Sequence, residues 1–222
     1  MTSLAPPCIA GAFFRASVPS TVSPATLARL APPTLARVDL DRFLALGAAV
    51  GALGWSATAL LTARPDVVAD PVLVSVALWG VLVAVMIGVG VFATPDAVRF
   101  SRPILVWGPA NALASLVTLG VLFGPLPDWA LPGVWALAGA VGYEASRRAV
   151  DGPARPVYLA ATFVEVLTLG AVLVVPPAGV FVLLGVSHAL PLALVVSTDD
   201  PRAAGALVLT WTLGLLVVRQ FP

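Results

Sequence analysis

The chain has 222 residues, of which 59% are hydrophobic and 10% charged, with a net charge of +1 and a mean hydropathy of +1.02. An average soluble domain is about 25% charged, and a globule of this size has too much exterior to hide so large an apolar surface. That balance excludes a soluble globule, a disordered chain and a nucleic-acid-binding protein, and the single cysteine, Cys8, excludes a disulfide scaffold.

The first forty residues differ from the rest. They carry Pro6, Pro7, Pro19, Pro24, Pro32 and Pro33, with no acid before Asp39. The string Thr26-Leu27-Ala28-Arg29 recurs as Thr34-Leu35-Ala36-Arg37. Residues 1–40 read as a disordered or surface-associated tail, its arginines drawn to anionic headgroups, and residues 41–222 as a transmembrane domain. The apolar stretch Cys8–Phe14 is too short for a signal-peptide core.

A helix crossing about 30 Å of hydrocarbon needs about 20 apolar residues. Seven runs qualify: Phe43–Thr62, Val72–Thr94, Pro103–Gly124, Trp129–Ala145, Val157–Val175, Ala178–Thr198 and Ala203–Val218. The expected fold is therefore all-α, a polytopic integral membrane protein built as a bundle of seven transmembrane helices. The count becomes six if one short run, the fourth or the seventh, fails to span. Pro176 and Pro177 divide the fifth run from the sixth, because two prolines remove two donors and clash with the preceding turn. Those two runs form a tight helical hairpin.

All twelve basic residues are arginines, and they record orientation independently of the runs. Short cytoplasmic loops carry the excess of basic residues. Arg15, Arg29, Arg37, Arg42, Arg99, Arg102, Arg147, Arg148, Arg155 and Arg202 fall on one side of a seven-span chain, and only Arg64 and Arg219 on the other. The N-terminus is thus expected in the cytoplasm, and the protein in the cell membrane as a multi-pass chain. The lysine-free style, rich in Arg, Ala, Val and Gly, resembles that of GC-rich prokaryotic genomes.

Almost every acid lies in the tail, a loop or a span end. Glu144 closes the fourth run with Arg147 and Arg148 three and four residues on, the spacing of a helix-end ion pair. Glu165 alone lies near mid-membrane, in the fifth run. The only histidine, His188, lies in the sixth, and each is between eleven and twelve residues from the centre of the Pro176–Pro177 turn. Antiparallel helices folded there put both at one depth. A lone charged carboxylate at that depth costs several kcal/mol, so the acid is expected to be neutral or paired. Glu and His together can hold one proton on either partner, as a proton relay requires. The same two residues can equally serve as hydrogen-bonded glue between helices.

Polar residues recur at helical spacing beside them. Tyr158, Thr162, Glu165 and Thr168 form one stripe, and Trp107, Asn111, Ser115 and Thr118 another. A polar cavity walled by the third, fifth and sixth runs is expected, with Glu165, His188, Asn111, Thr162 and Ser115 as proton- or solute-binding residues. Pro191 frees the carbonyl of Ser187 next to His188. Gly47/Gly51 and Gly120/Gly124 have the spacing of close helix packing.

The missing chemistry narrows the function. Without lysine, a retinal Schiff base of the microbial-rhodopsin kind cannot form in the last run, where residues 207–212 read Leu-Val-Leu-Thr-Trp-Thr. One histidine cannot complete a zinc site of three protein ligands or a bis-histidine haem. Neither a P-loop, a dinucleotide fingerprint nor a serine nucleophile elbow occurs. No cofactor or metal is expected. The expected function is a small transporter or channel-like protein with a mid-membrane Glu/His pair. The alternatives are an intramembrane enzyme acting on a lipid or isoprenoid, and a non-catalytic membrane subunit or scaffold. The expected partners are the lipid bilayer and another copy of the chain or a membrane subunit, and nucleic acid is not among them.

Overall fold

The computed structural model describes residues 33–200 and 202–218, with side chains from Leu40 onward. Cys8 and residues 1–32 of the expected tail lie outside the described residues, while residues 33–40 open the first helix. The helices are α1 (Pro33–Ala63), α2 (Pro71–Phe92), α3 (Asp96–Arg99), α4 (Arg102–Phe123), α5 (Ala130–Ala149), α6 (Ala154–Ala171), α7 (Pro177–Ser197) and α8 (Ala203–Val218). A 3-10 turn at Pro65–Val67 follows α1, and no strand occurs among the described residues. Four helices are long and apolar enough to cross a membrane: α1 from Leu40, α2, α4 and α7.

Local chemistry sets the helix ends. Pro71 occupies the first turn of α2, where its missing N–H has no role, and the Asp70 carboxylate accepts from Leu73 N at 2.9 Å. Pro177 opens α7 in the same way, after an extended Pro176. The fifth and sixth apolar runs are indeed two helices, although α6 stops at Ala171 and residues 172–175 form the turn. Between α5 and α6 the chain reverses through Gly152 at φ +74°, a left-handed conformation that a side chain would strain.

The bundle is organised around α5, α6 and α7. Helix α1 packs along α7 with α2 outside it, while α5 packs between α4 and α6, and α8 covers α6 and α7. Small residues permit this. A methyl at Gly51 would stand 3.7 Å from Ala189 Cβ, and one at Gly47 would stand 3.1 Å from Leu192 Cδ1. The first glycine pair is therefore the contact of α1 with α7. The second is not interhelical, since Gly120 faces Leu126 in the α4–α5 connection and Gly124 ends α4. Helix α5 is the most enclosed, with Gly133, Ala136, Gly139, Ala140, Gly142 and Ala145 all buried.

The bundle is apolar outside, and the polar groups of its helices turn inward among a largely apolar core. Leu159, Phe163 and Val166 of α6 are exposed, while Tyr158, Glu165 and Thr168 of the same helix are buried. Leu113, Leu116 and Leu119 of α4, Val81 and Ile87 of α2, and Leu209, Leu213 and Leu216 of α8 extend the exposed belt. An apolar surface so continuous is a membrane-facing one, because a soluble monomer rarely exposes such patches. Helices α5 and α6 are not among the four long apolar ones, and the buried face of each carries small and polar residues, Gly139, Gly142 and Ser146 on α5 and Glu165 and Thr168 on α6.

Candidate functional site

Four tryptophans show how polar groups are handled in this interior. Trp79 Nε1 donates to Thr58 Oγ1 (3.0 Å), Trp107 to Ser146 Oγ (3.3 Å), Trp135 to Thr118 Oγ1 (2.9 Å) and Trp211 to Thr168 Oγ1 (2.8 Å). Each hydroxyl in turn donates to the backbone carbonyl one turn earlier in its own helix: Thr58 to Gly54, Ser146 to Gly142, Thr118 to Ala114 and Thr168 to Val164. A hydroxyl bonded backwards in this way keeps a lone pair for a neighbouring helix. The clamps tie α2 to α1, α4 to α5 twice, and α8 to α6. With no water in the hydrocarbon layer, such bonds satisfy groups that would otherwise be orphaned.

Glu165 and His188 are treated differently. Glu165 is fully buried in α6, and its Oε1 lies 3.0 Å from Nδ1 of His188 in α7. Nδ1 also lies 3.2 Å from the Leu184 carbonyl of its own helix. A carbonyl can only accept, so Nδ1 carries a hydrogen directed between that carbonyl and the acid. Much of the pair's capacity is unused: Glu165 Oε2 and His188 Nε2 are buried without a well-formed hydrogen bond, and so is Oε1, although the Ser187 hydroxyl, which donates to the Leu184 carbonyl at 3.2 Å, stands beside the acid.

Three neighbours hold this geometry. A methyl at Gly139 of α5 would stand 2.6 Å from Glu165 Cδ and Oε1, so the carboxyl lies directly on the α5 backbone. Tyr143, one turn further along α5, is completely buried and donates its hydroxyl to the His188 carbonyl at 2.6 Å. Pro191 frees the carbonyl of Ser187, but the carbonyl capped across helices is that of His188, one residue on. From α1, the Trp55 ring comes within 5.7 Å of the imidazole. Gly139 and Tyr143 are not among the residues expected at the site. Their signal was that Tyr143 is the one large residue on the face of small residues formed by Ala136, Gly139 and Ala140.

The other expected site residues are dispersed. Thr162 is half-buried on α6 and donates to the Tyr158 carbonyl at 2.9 Å. Ser115 donates to the Asn111 carbonyl at 2.8 Å, and both lie on α4. Because α4 packs chiefly on α5, with α6 on the other side, Asn111 and Ser115 are across α5 from the pair. The third, fifth and sixth runs do share a space, but it is largely apolar, and of the expected site residues only Ser115 lines it, not Glu165, His188, Asn111 or Thr162. The reason is steric: the small residues of α5 let it stand between α4 and the acid on α6.

This space is a groove of about 870 Å³ that runs beside the pair, and Ser115 and Thr118 are among its few polar walls. Pro65 and Pro71, Asp128 and Trp129, and Val172 and Val175 also line it. These residues lie in or border the connections α1–α2, α4–α5 and α6–α7, which therefore meet at one end of the bundle. At its inner end stand Trp55, Trp79, Trp135 and Phe181. Trp55 is edge-on to Trp79 (4.8 Å) and to Trp135 (5.6 Å), and stacks on Phe181 (5.9 Å).

The helix-end pair is present. Arg147 grips Glu144 with Nε at 2.6 Å and Nη2 at 2.7 Å, and Arg148 Nε adds a 2.6 Å contact. Among the described residues, no three His, Cys, Asp or Glu side chains converge as a metal site would require. No family model, no curated protein and no solved structure matches the chain.

Proposed function

We propose that the chain is a multi-pass protein of the cell membrane, with seven spans and a cytoplasmic N-terminus, in which Glu165 and His188 bind and relay a proton or small polar solute. The observation that carries this reading is the contrast in polar satisfaction. Every indole clamp is paired at both ends, as structural glue should be, whereas the Glu165–His188 pair keeps buried atoms in reserve. Burying polar groups without partners is costly, and such residues inside a membrane mark pathways for ions and protons.

The relay follows from the tautomer. A proton arriving at Nε2 of His188 gives an imidazolium, and the Nδ1 hydrogen then passes to Oε1 of Glu165. The products are a neutral imidazole protonated at Nε2 and a neutral carboxyl. Release of the carboxyl proton restores the carboxylate, and tautomerisation of the imidazole, which loses the Nε2 hydrogen as it gains one at Nδ1, resets the pair. The seven-span topology draws support from the groove, whose three alternate connections share one end. By the arginine count, that is the poorly charged, outer end.

Purified protein in proteoliposomes with an internal pH dye tests the function. After an external acid step, wild-type vesicles should equilibrate faster than protein-free ones, and Glu165→Gln and His188→Ala should lose at least about 90% of that excess rate, the scale of a lost proton-transfer group. Unchanged rates in both variants would overturn the relay.

A further inference from the structure

The groove beside the pair has its own chemistry, and we propose that it is a binding site for a lipophilic organic cation, such as a hydrophobic amine or a phosphonium. Its volume of about 870 Å³ lies within the range of small-molecule sites. Most of its walls are aliphatic, which suits the body of such a ligand.

Its polar features all favour positive charge. The inner end presents Trp55, Trp79, Trp135 and Phe181, with the Trp79 and Trp135 rings near-parallel (19°) at 6.0 Å. Indole faces attract cations through their quadrupoles, most strongly where water is excluded. Asp128 stands in the wall at the open end, and no arginine is among the described residues that line the groove. Ser75 and Ser115 add hydroxyls, whose oxygens accept, while those of Thr58 and Thr118 already accept from Trp79 and Trp135. An organic anion would find an acid at the entrance, the negative faces of aromatic rings inside, and no cation in the lining, since Arg64 beside Pro65 is paired with Asp66. An uncharged acyl chain would fit the aliphatic walls but would make no use of Asp128 or the indole faces.

The site stands on the groove alone. Only its consequence rests on the proposed function: Trp55 both lines the groove and touches the His188 ring at 5.7 Å, so a bound cation lies one side chain from the relay.

Tetraphenylphosphonium and tetraphenylborate, nearly identical in shape and opposite in charge, test the inference. Binding to the full-length chain in detergent is read by equilibrium dialysis and by tryptophan emission. The phosphonium should bind saturably, at least about tenfold more tightly than the borate, a modest requirement for one or two cation–π contacts. The blocking variant is Gly80→Phe: Gly80 lines the groove, and a Cβ added there meets nothing within 4 Å, so the backbone accepts a side chain whose ring then fills the space. It should weaken phosphonium binding by at least tenfold, by the same reckoning. Equal affinity for both ions, with both lost in Gly80→Phe, would mean that the groove takes apolar molecules irrespective of charge, as a lipid chain would, and would overturn the proposal. Unchanged phosphonium binding in Gly80→Phe would overturn it too. Proton flux reads the pair and phosphonium binding reads the groove, so either reading can fail alone.

Discussion

The carboxyl group of Glu165 rests on the backbone of Gly139, leaving no room for a methyl, which would stand 2.6 Å from both Cδ and Oε1. The glycine on α5 thus sets the depth to which the acid on α6 can withdraw, and with it the 3.0 Å approach of Oε1 to His188.

Gly139→Ala is therefore expected to destabilise the protein. Alanine improves helix propensity by up to about 1 kcal/mol, but overpacking beside a fully buried, immobile carboxyl costs about 1–3 kcal/mol. Reversible unfolding in detergent should show a net loss. A Gly139→Ala/Glu165→Ala cycle should return a coupling of at least about 1 kcal/mol, and additive single effects would disprove the contact.

The Trp211–Thr168 clamp is predicted to be weak glue. A double-mutant cycle of Trp211→Phe with Thr168→Val should give a coupling near 0.6 kcal/mol, the typical scale for interhelical hydrogen bonds in a membrane. Thr168→Val alone should cost more than Trp211→Phe alone, because it strands a buried indole N–H without an acceptor. Neither change should slow proton flux, which separates clamps from relay.

Tyr143→Phe removes the hydroxyl that caps the His188 carbonyl at 2.6 Å. The expected stability loss is about 0.5–1.5 kcal/mol. Flux should fall less than in His188→Ala, since the tyrosine holds the backbone of the histidine and leaves its ring nitrogens in place.

At the groove end, Arg64 grips Asp66 at 2.8 and 2.9 Å in full exposure, and the guanidinium holds the Asp66 carboxyl below its ordinary range. A depressed acid contributes stability above its unfolded pKa and loses it as pH falls through the folded value. Solvent screens so exposed a pair. Asp66→Asn should consequently leave the thermal midpoint unchanged at neutral pH and leave its fall on acidification unaltered.

Topology can be read by labelling. In a Cys8→Ser background, Asp66→Cys and Asp128→Cys should react with an impermeant maleimide added outside intact cells. Arg148→Cys should react only after permeabilisation. The reverse pattern would invert the proposed orientation.

Much of this protein was legible without a fold. Apolar runs, proline positions and the Glu144–Arg147 spacing are properties of a single helix, so the helix ends, the Pro176–Pro177 hairpin and the helix-end ion pair follow from the chain itself. So does the shared depth of Glu165 and His188, which needs only the rise per residue and the position of the turn. Rotation about the helix axis and the choice of neighbours are different quantities. They depend on which faces pack most closely, and here the small residues of α5 decide. Those residues draw α5 into the centre, seat Glu165 on Gly139 and bring Tyr143 under His188. They also leave Asn111 and Ser115 across α5, and gather tryptophans from α1, α2 and α5 at the end of a groove. Depth is one-dimensional and was written in the sequence; facing is set by side-chain volume between helices, and only the tertiary structure determined it.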